Sequence, residues 1–249
     1  MSRMDAYRGF AGVYDLLMDD FDYPAWAEYY LRLLESAGVQ PTELCDCACG
    51  TGSLTMEFAA RGLRVTGVDL SGEMLDVARE KAMRRGANVR FACMDMAKLT
   101  LPHPVDAIVC GCDGVNYLTS EKRVRAVLAA AYASLKPGGA LAFDISSPYK
   151  LKEVLGDAFF GEERDEAAYL WQNTLDGDVV TMDLTFFIRR ADGLYERVTE
   201  THRQMAHEPE NLARLLNETG FKNVKIYGDR TFDPPKPEEM RLHFCAVRE

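Results

Sequence analysis

The chain has no apolar stretch approaching the ~20 residues that a membrane span requires; its longest weakly polar run, residues 126–135, falls well short. Its opening, MSRMDAYRGFAGVYDLLMDDFDY, places acidic side chains where a secretory leader needs an unbroken apolar core. A cytoplasmic location and no membrane partner are therefore expected. Positive charge is also scarce: 29 Lys and Arg stand against 39 Asp and Glu, a formal net charge of -10 at pH 7. That balance opposes association with phosphate backbones, so no nucleic-acid partner is expected and a small-molecule or protein ligand is favoured. Of four histidines, His103, His207 and His243 lie in loop or terminal contexts and share no metal-ligand spacing. Seven cysteines, an odd number, do not suggest a disulfide framework. Cys45, Cys47 and Cys49 alternate, and so do Cys110 and Cys112, whereas zinc sites usually separate paired thiolates by two residues. No metal is expected; adjacent strands could bring the two groups together, but packing as small apolar thiols is the better reading.

What is present is the composition of a globular protein, 47% hydrophobic and 27% charged, over 249 residues that suit one α/β domain with an elaboration. Helical periodicity marks residues 5–18 and 24–37, the second opening on Pro24 and stopping at Gly38. A strand at 43–47, a helix at 53–61, a strand at 63–69 and a helix at 72–84 then form a β-α-β unit. Strands follow at 88–93 and 105–110. Ser120 caps a helix whose apolar side carries Val124, Val127, Leu128, Ala131 and Leu135 and which stops at Lys136-Pro137-Gly138-Gly139, before a strand at 140–145. Such alternation predicts a doubly wound, mostly parallel sheet with its ligand at the carboxyl ends of the strands. The rhythm then changes. Runs at 168–173, 179–190 and 195–206, joined by Asp176-Gly177-Asp178 and Ala191-Asp192-Gly193, read as an antiparallel insertion. A helix at 209–219, a strand at 221–227 and a last strand near 240–247 restore the first pattern.

Residues 44–54, LCDCACGTGSL, turn a strand into a helix through small residues that let backbone N–H groups approach a ligand. A dinucleotide would fit such a loop, and Asp69 stands where a ribose-binding acid is expected. Two features oppose it. Position 55, where a third glycine belongs, is Thr55, and Asp46 places a carboxylate where pyrophosphate would be repelled. A cationic ligand suits Asp46 better, and a ribose diol suits Asp69.

With Asp46, Ala48, Gly50 and Gly52 in order, the chain resembles the class I S-adenosylmethionine-dependent methyltransferases, whose first motif reads D/E-x-A/G-x-G-x-G. The LKPGG segment at 135–139 is a further landmark. The resemblance implies S-adenosylmethionine as cofactor and a seven-stranded Rossmann-like sheet with an antiparallel β insertion after the fifth strand. It also implies a ribose role for Asp69, adenosine contacts from Leu70 and Met74, an adenine contact from Asp95 with Met96 against the ring, and Asp113 beside the methionine moiety. YRGFAGVYDLLMDD, CDGVNYL and FDISSPYKL resemble small methyltransferases related to glycine-type and amino-sugar N-methyltransferases, and imply that Tyr14 either closes over the cofactor or packs in the core. A small amine acceptor follows from that resemblance; O-methyl transfer, RNA methylation and a cofactor-binding regulatory module without turnover remain as alternatives. The expected organisation is a single domain over 1–249, with N-terminal helices at 1–40, a cofactor-binding core at 41–147 and 207–249, and an inserted cap at 148–206.

Strict alternation puts Glu200, His202 and Gln204 on one face of their strand. That polar row either faces solvent at a sheet edge or lines the cleft, where Glu200 or His202 can act as a base and Gln204 can bind the acceptor. Trp171 and Asn173 share a face likewise. Trp171 is either core or an aromatic wall for a cationic substrate.

Overall fold

A computed structural model describes residues 15, 21–165, 167–190 and 192–249. Most of the expected first helix, and Tyr14 with it, lie outside the described residues. Helix α1 spans Tyr23–Ser36, with Asp22 accepting from the Ala25 N–H as its cap and Pro24 in the first turn. It is followed by β1 (Glu43–Cys47), α2 (Ser53–Ala60), β2 (Arg64–Asp69), α3 (Gly72–Arg85), β3 (Arg90–Cys93), β4 (Val105–Cys110), α4 (Glu121–Ser134) and β5 (Leu135–Ser146).

The sheet order is β10-β11-β5-β4-β1-β2-β3, where β10 is Phe221–Tyr227 and β11 is Arg241–Arg248. Strands β1 to β5 pair in parallel, while β11 runs antiparallel to both β5 and β10. The chain winds outward from β1 through β2 and β3, then returns to place β4 on the other side of β1. That reversal opens a crevice at the carboxyl ends of β1 and β4, the place where doubly wound sheets take ligands.

Both faces of the sheet are covered, which explains the nearly continuous apolar strands. Leu44, Ala107, Val109, Ala140 and Ala142 face α1 and α2 through Tyr30, Leu33, Leu34 and Phe58. Cys45, Ile108, Leu141 and Phe143 point the other way, toward Val124 and Leu128 of α4 and Leu212 and Leu216 of α5 (Pro209–Thr219). Each such fully buried Leu or Phe is worth about 1.5–3 kcal/mol. Cys47 and Cys110 meet within this core on adjacent strands.

Between β5 and α5 lies a second sheet, β6 (Phe159–Glu163), β7 (Ala167–Asp176), β8 (Val179–Arg189) and β9 (Tyr195–Met205), all antiparallel in the order β6-β7-β8-β9. A one-turn π-helix, Lys150–Leu155, precedes it, and Leu151 and Leu155 pack on its inner face against Val180 and Met182. Two expectations need correction. The insertion has four strands: FFGEE was not expected to be one, because only alternate positions meet a partner surface and its exposed face gives little apolar signal. The helix does stop before Lys136-Pro137-Gly138-Gly139, but β5 was expected to begin only at 140 and instead includes that segment, with Leu135 paired to Val105 across a register shift.

Candidate active site

Beyond β1 the chain passes through left-handed backbone at Ala48, Gly50 and Gly52, with φ of 59°, 54° and 74°. At Gly52 the need for glycine is steric as well: a Cβ there would stand 2.9 Å from the Cβ of Ala78. Two backbone N–H groups, of Gly50 and Ser71, each donate to Asp69 at 2.8 Å, so the carboxylate at the end of β2 ties the glycine-rich turn to the start of α3. Asp46 is 1% exposed and accepts from Thr55 Oγ1 at 2.5 Å. Burial pushes its carboxyl up to about 7; the Thr55 bond opposes this and the negative Asp69 adds to it. Position 55, read only as a missing glycine, thus supplies the buried donor to Asp46.

The third acid, Asp95, accepts from the Ala97 N–H at 2.9 Å and forms a two-pronged pair with Arg123 at 2.8 and 3.0 Å. Those bonds hold its carboxyl below the usual carboxylate range. After β4, Cys112 and Asp113 both take left-handed backbone, a strained turn for side chains other than glycine. Asp113 accepts from Ser146 Oγ at 2.9 Å and from Gln204 Nε2 at 3.3 Å, linking the core sheet to β9. Its N–H donates to Asp144, a fully buried carboxylate that also accepts from Tyr30 Oη at 2.5 Å and pairs with Arg241.

These groups surround one cavity of about 870 Å³, toward the upper end of the ~300–1,000 Å³ typical of small-molecule sites. Its floor carries Asp46, Ala48, Gly50, Asp69, Leu70, Met74, Asp95, Met96 and Asp113. Gly52 stands behind the turn and does not line it. The roof is the inner face of the second sheet: Glu162, Tyr169, Trp171, Met182, Leu184, Phe186, His202 and Gln204. The polar row on β9 therefore faces the cavity even though β9 is an edge strand. Glu200, half-buried on the same face, stops short of the lining. Trp171 Nε1 donates to Asn173 Oδ1, and Asn173 is buried. Burial lowers the His202 pKa, which favours the neutral ring near neutral pH. Tyr117 Oη lies 3.3 Å from His202 Nδ1, and burial raises its phenol above the usual range.

Several contributors escaped the sequence reading. Tyr117 and Lys150 sit inside segments quoted for the family resemblance, so the motif was visible but not the residue. Asp15 accepts from Thr51 Oγ1 at 2.6 Å and pairs with Lys81 at 2.9 Å, which ties Asp15 to the glycine-rich turn and to α3. Arg241 reaches the cavity from the far end of the chain, a link only the sheet order reveals. His207 and His243, expected in loop or terminal contexts, are both buried, His243 among Trp26, Tyr29 and Tyr30.

The donor set can be tested against a ligand. A buried carboxylate at Asp46, two more at the ends of β2 and β3, and the apolar Leu70, Met74 and Met96 between them suit a cationic nucleoside and would repel a diphosphate. Leu70 is 70% exposed at the cavity wall, an apolar surface that a flat base could cover. S-adenosylmethionine has an ammonium, a ribose diol and an adenine amino group to match the three acids. A doubly wound sheet with this site is that of a cofactor-dependent transferase of the class I type.

Comparison with known proteins agrees. A family model described as "Methyltransferase domain" matches residues 44–139. A protein of Geobacillus sp. (strain WCH70), named as a methyltransferase, is 36% identical over 246 residues, covering 97% of this chain and 99% of its own. The crystal structure of a S-adenosylmethionine-dependent methyltransferase from Clostridium acetobutylicum ATCC 824 superimposes with a TM-score of 0.89 at 31% identity, over 97% of this chain and 98% of that one. A glycine/sarcosine N-methyltransferase of Halorhodospira halochloris is 28% identical over 238 residues, covering 89% of this chain and 80% of its own. The chain belongs to the class I S-adenosylmethionine-dependent methyltransferase family: it is an enzyme, and S-adenosylmethionine is its cofactor.

Proposed function

We propose that the enzyme, acting in the cytoplasm, methylates the amine nitrogen of a small molecule enclosed between the glycine-rich turn and the second sheet. The observation that carries this reading is the roofed cavity itself, in which aromatic rings and a neutral histidine face the floor of acids. A compact amine fits such a chamber better than a base in a polynucleotide does, and the net negative charge of the chain points the same way. The relatedness to a glycine/sarcosine N-methyltransferase supports nitrogen as the accepting atom.

In this reading Asp46 engages the cofactor's ammonium, Asp69 the ribose diol and Asp95 the adenine amino group. Ala48, Gly50 and Gly52 shape the turn beneath it, Leu70, Met74 and Met96 cover the adenosine, and Asp113 borders the methionine end. For Tyr14, which lies outside the described residues, closing over the cofactor rests on the family resemblance alone. When bound, S-adenosylmethionine supplies an electrophilic methyl group on a sulfonium that is already a good leaving group. The protein's own contribution is placement and exclusion of water. Trp171 and Tyr117 wall the acceptor, Gln204 orients it, and neutral His202 receives the proton the nitrogen sheds, with Glu200 behind it favouring the charged ring.

The test is S-adenosylhomocysteine release from the purified enzyme with a panel of small amines and their hydroxyl counterparts. Release with amines supports the reading. Release with hydroxyl compounds alone, or with transfer RNA alone, overturns it.

A further inference from the structure

Among the described residues, three cationic side chains line the cavity: Arg123, Lys150 and Arg241. Arg123 is matched by Asp95, and Arg241 by Asp144. Lys150 has no such match. Its Nζ donates to Ser146 Oγ at 3.2 Å, and no described carboxylate forms an ion pair with it. Two positions on in the same helix, Lys152 pairs with Asp178 at 2.6 Å and Glu208 at 3.6 Å. Burial, with the positive Arg241 nearby, draws the Lys150 ammonium below the usual lysine range, while Asp113 and Asp144 pull it back. A half-buried ammonium with no ion-pair partner carries a desolvation cost in the empty site, and an anion entering the cavity lowers that cost.

The local donors limit what that anion can be. The Ser146 hydroxyl already gives its proton to Asp113 at 2.9 Å, and the Arg241 charge is matched by Asp144 through Nη1. One ammonium remains as the positive charge without an ion pair. That single charge suits a singly charged carboxylate better than a phosphoryl dianion, which carries two charges to be met.

We propose that the acceptor is an amine that also carries a carboxylate, and that Lys150 holds the carboxylate while the nitrogen is presented to the reacting methyl group. This rests on the amine reading above. The cofactor has a carboxylate of its own, so the experiment must separate the two sources.

Lys150→Met keeps the length and apolar stem of the side chain and removes only the charge. Wild type and variant, each loaded with S-adenosylhomocysteine, are titrated calorimetrically with matched pairs: glycine and methylamine, 3-aminopropionate and ethylamine, 4-aminobutyrate and propylamine, anthranilate and aniline. The same pairs are then assayed for methyl transfer. At least one acid is expected to bind and react about tenfold or more better than its decarboxylated partner, and Lys150→Met to erase that ratio. S-adenosylhomocysteine affinity should stay within about twofold of wild type. A fall in its affinity, with unchanged affinity for methylthioadenosine, which lacks the amino-acid moiety, would assign Lys150 to the cofactor and overturn the proposal. So would a panel in which no acid surpasses its partner, or a ratio that survives the substitution. Amine turnover without preference for the acids defeats only this inference; absence of turnover with every amine defeats the amine reading.

Discussion

At Asp46 a carboxylate is sealed from water with Thr55 as its hydroxyl donor, and its titration near neutral pH makes cofactor binding sensitive to pH in a calculable direction. In the free protein the folded carboxyl titrates at about 7, far above its ordinary 3.8, so its protonated form stabilises the fold at low pH and that contribution is lost as pH rises through about 7. A bound ammonium reverses the preference. S-adenosylhomocysteine affinity should therefore rise by up to about tenfold per unit as pH approaches 7 from below, with proton release on binding, and Asp46→Asn should flatten the dependence. Calorimetry in buffers of different ionisation enthalpy reads both quantities. Asp69 admits a plainer test, since Asp69→Ala removes the proposed ribose ligand and also leaves the Gly50 and Ser71 N–H groups unpaired. Binding should become undetectable, and undiminished binding would refute the ribose assignment. His202→Ala should lower kcat by about 10²–10⁴-fold if the ring takes the proton, with cofactor affinity retained. A normal kcat would place His202 outside the chemistry. The acids at the strand ends were legible in the sequence, Asp46 and Asp69 from their places around the glycine-rich turn and Asp95 and Asp113 from the family resemblance. Lys150, Arg241 and Tyr117 were not, because what matters about them is which side chains they fail to pair with or come to face.

Elements carry the next layer. The roof is fastened to the core by Asn116, fully buried in the short turn at Gly114–Tyr117, whose Nδ2 donates to the carbonyls of Ser146 and Met205 at 3.1 and 2.9 Å while its Oδ1 accepts from the Ser146 N–H at 2.9 Å. Asn116→Ala removes the partner of two buried and one part-buried backbone group and should cost about 2–4 kcal/mol, seen as a lowered urea midpoint. Gly52→Ala imposes a left-handed Cβ 2.9 Å from Ala78 and should cost about 1–3 kcal/mol by the same measurement, with S-adenosylhomocysteine affinity weakened as the turn shifts. An unchanged midpoint in either variant would contradict the packing described. Strong periodicity made the helices and core strands readable, and Gly177 with its positive φ made the β7–β8 hairpin readable too. Strand β6 was hidden because its residues alternate between cavity and solvent. Residues 136–139 were misassigned because Pro and Gly mark a helix end locally, whereas here pairing with β4 extends the strand.

For the whole molecule, a doubly wound, mostly parallel sheet was implied by helix and strand alternation and its seven strands by the family resemblance, while the return from β3 to β4 explains why acids scattered from 46 to 113 meet in one cavity. No described helix is long and apolar enough to cross a membrane. What the linear pattern could not display is the second sheet's register, which turns His202 and Gln204 inward and leaves Glu200 just outside. The chamber is proposed to transfer a methyl group from S-adenosylmethionine to a small amine. The most direct test is an incubation of the enzyme with methyl-deuterated S-adenosylmethionine and the amine panel, followed by mass spectrometry of both products. S-adenosylhomocysteine and a deuteromethylated amine are expected in equal amounts. Tight cofactor binding with neither product from any amine would contradict the proposal.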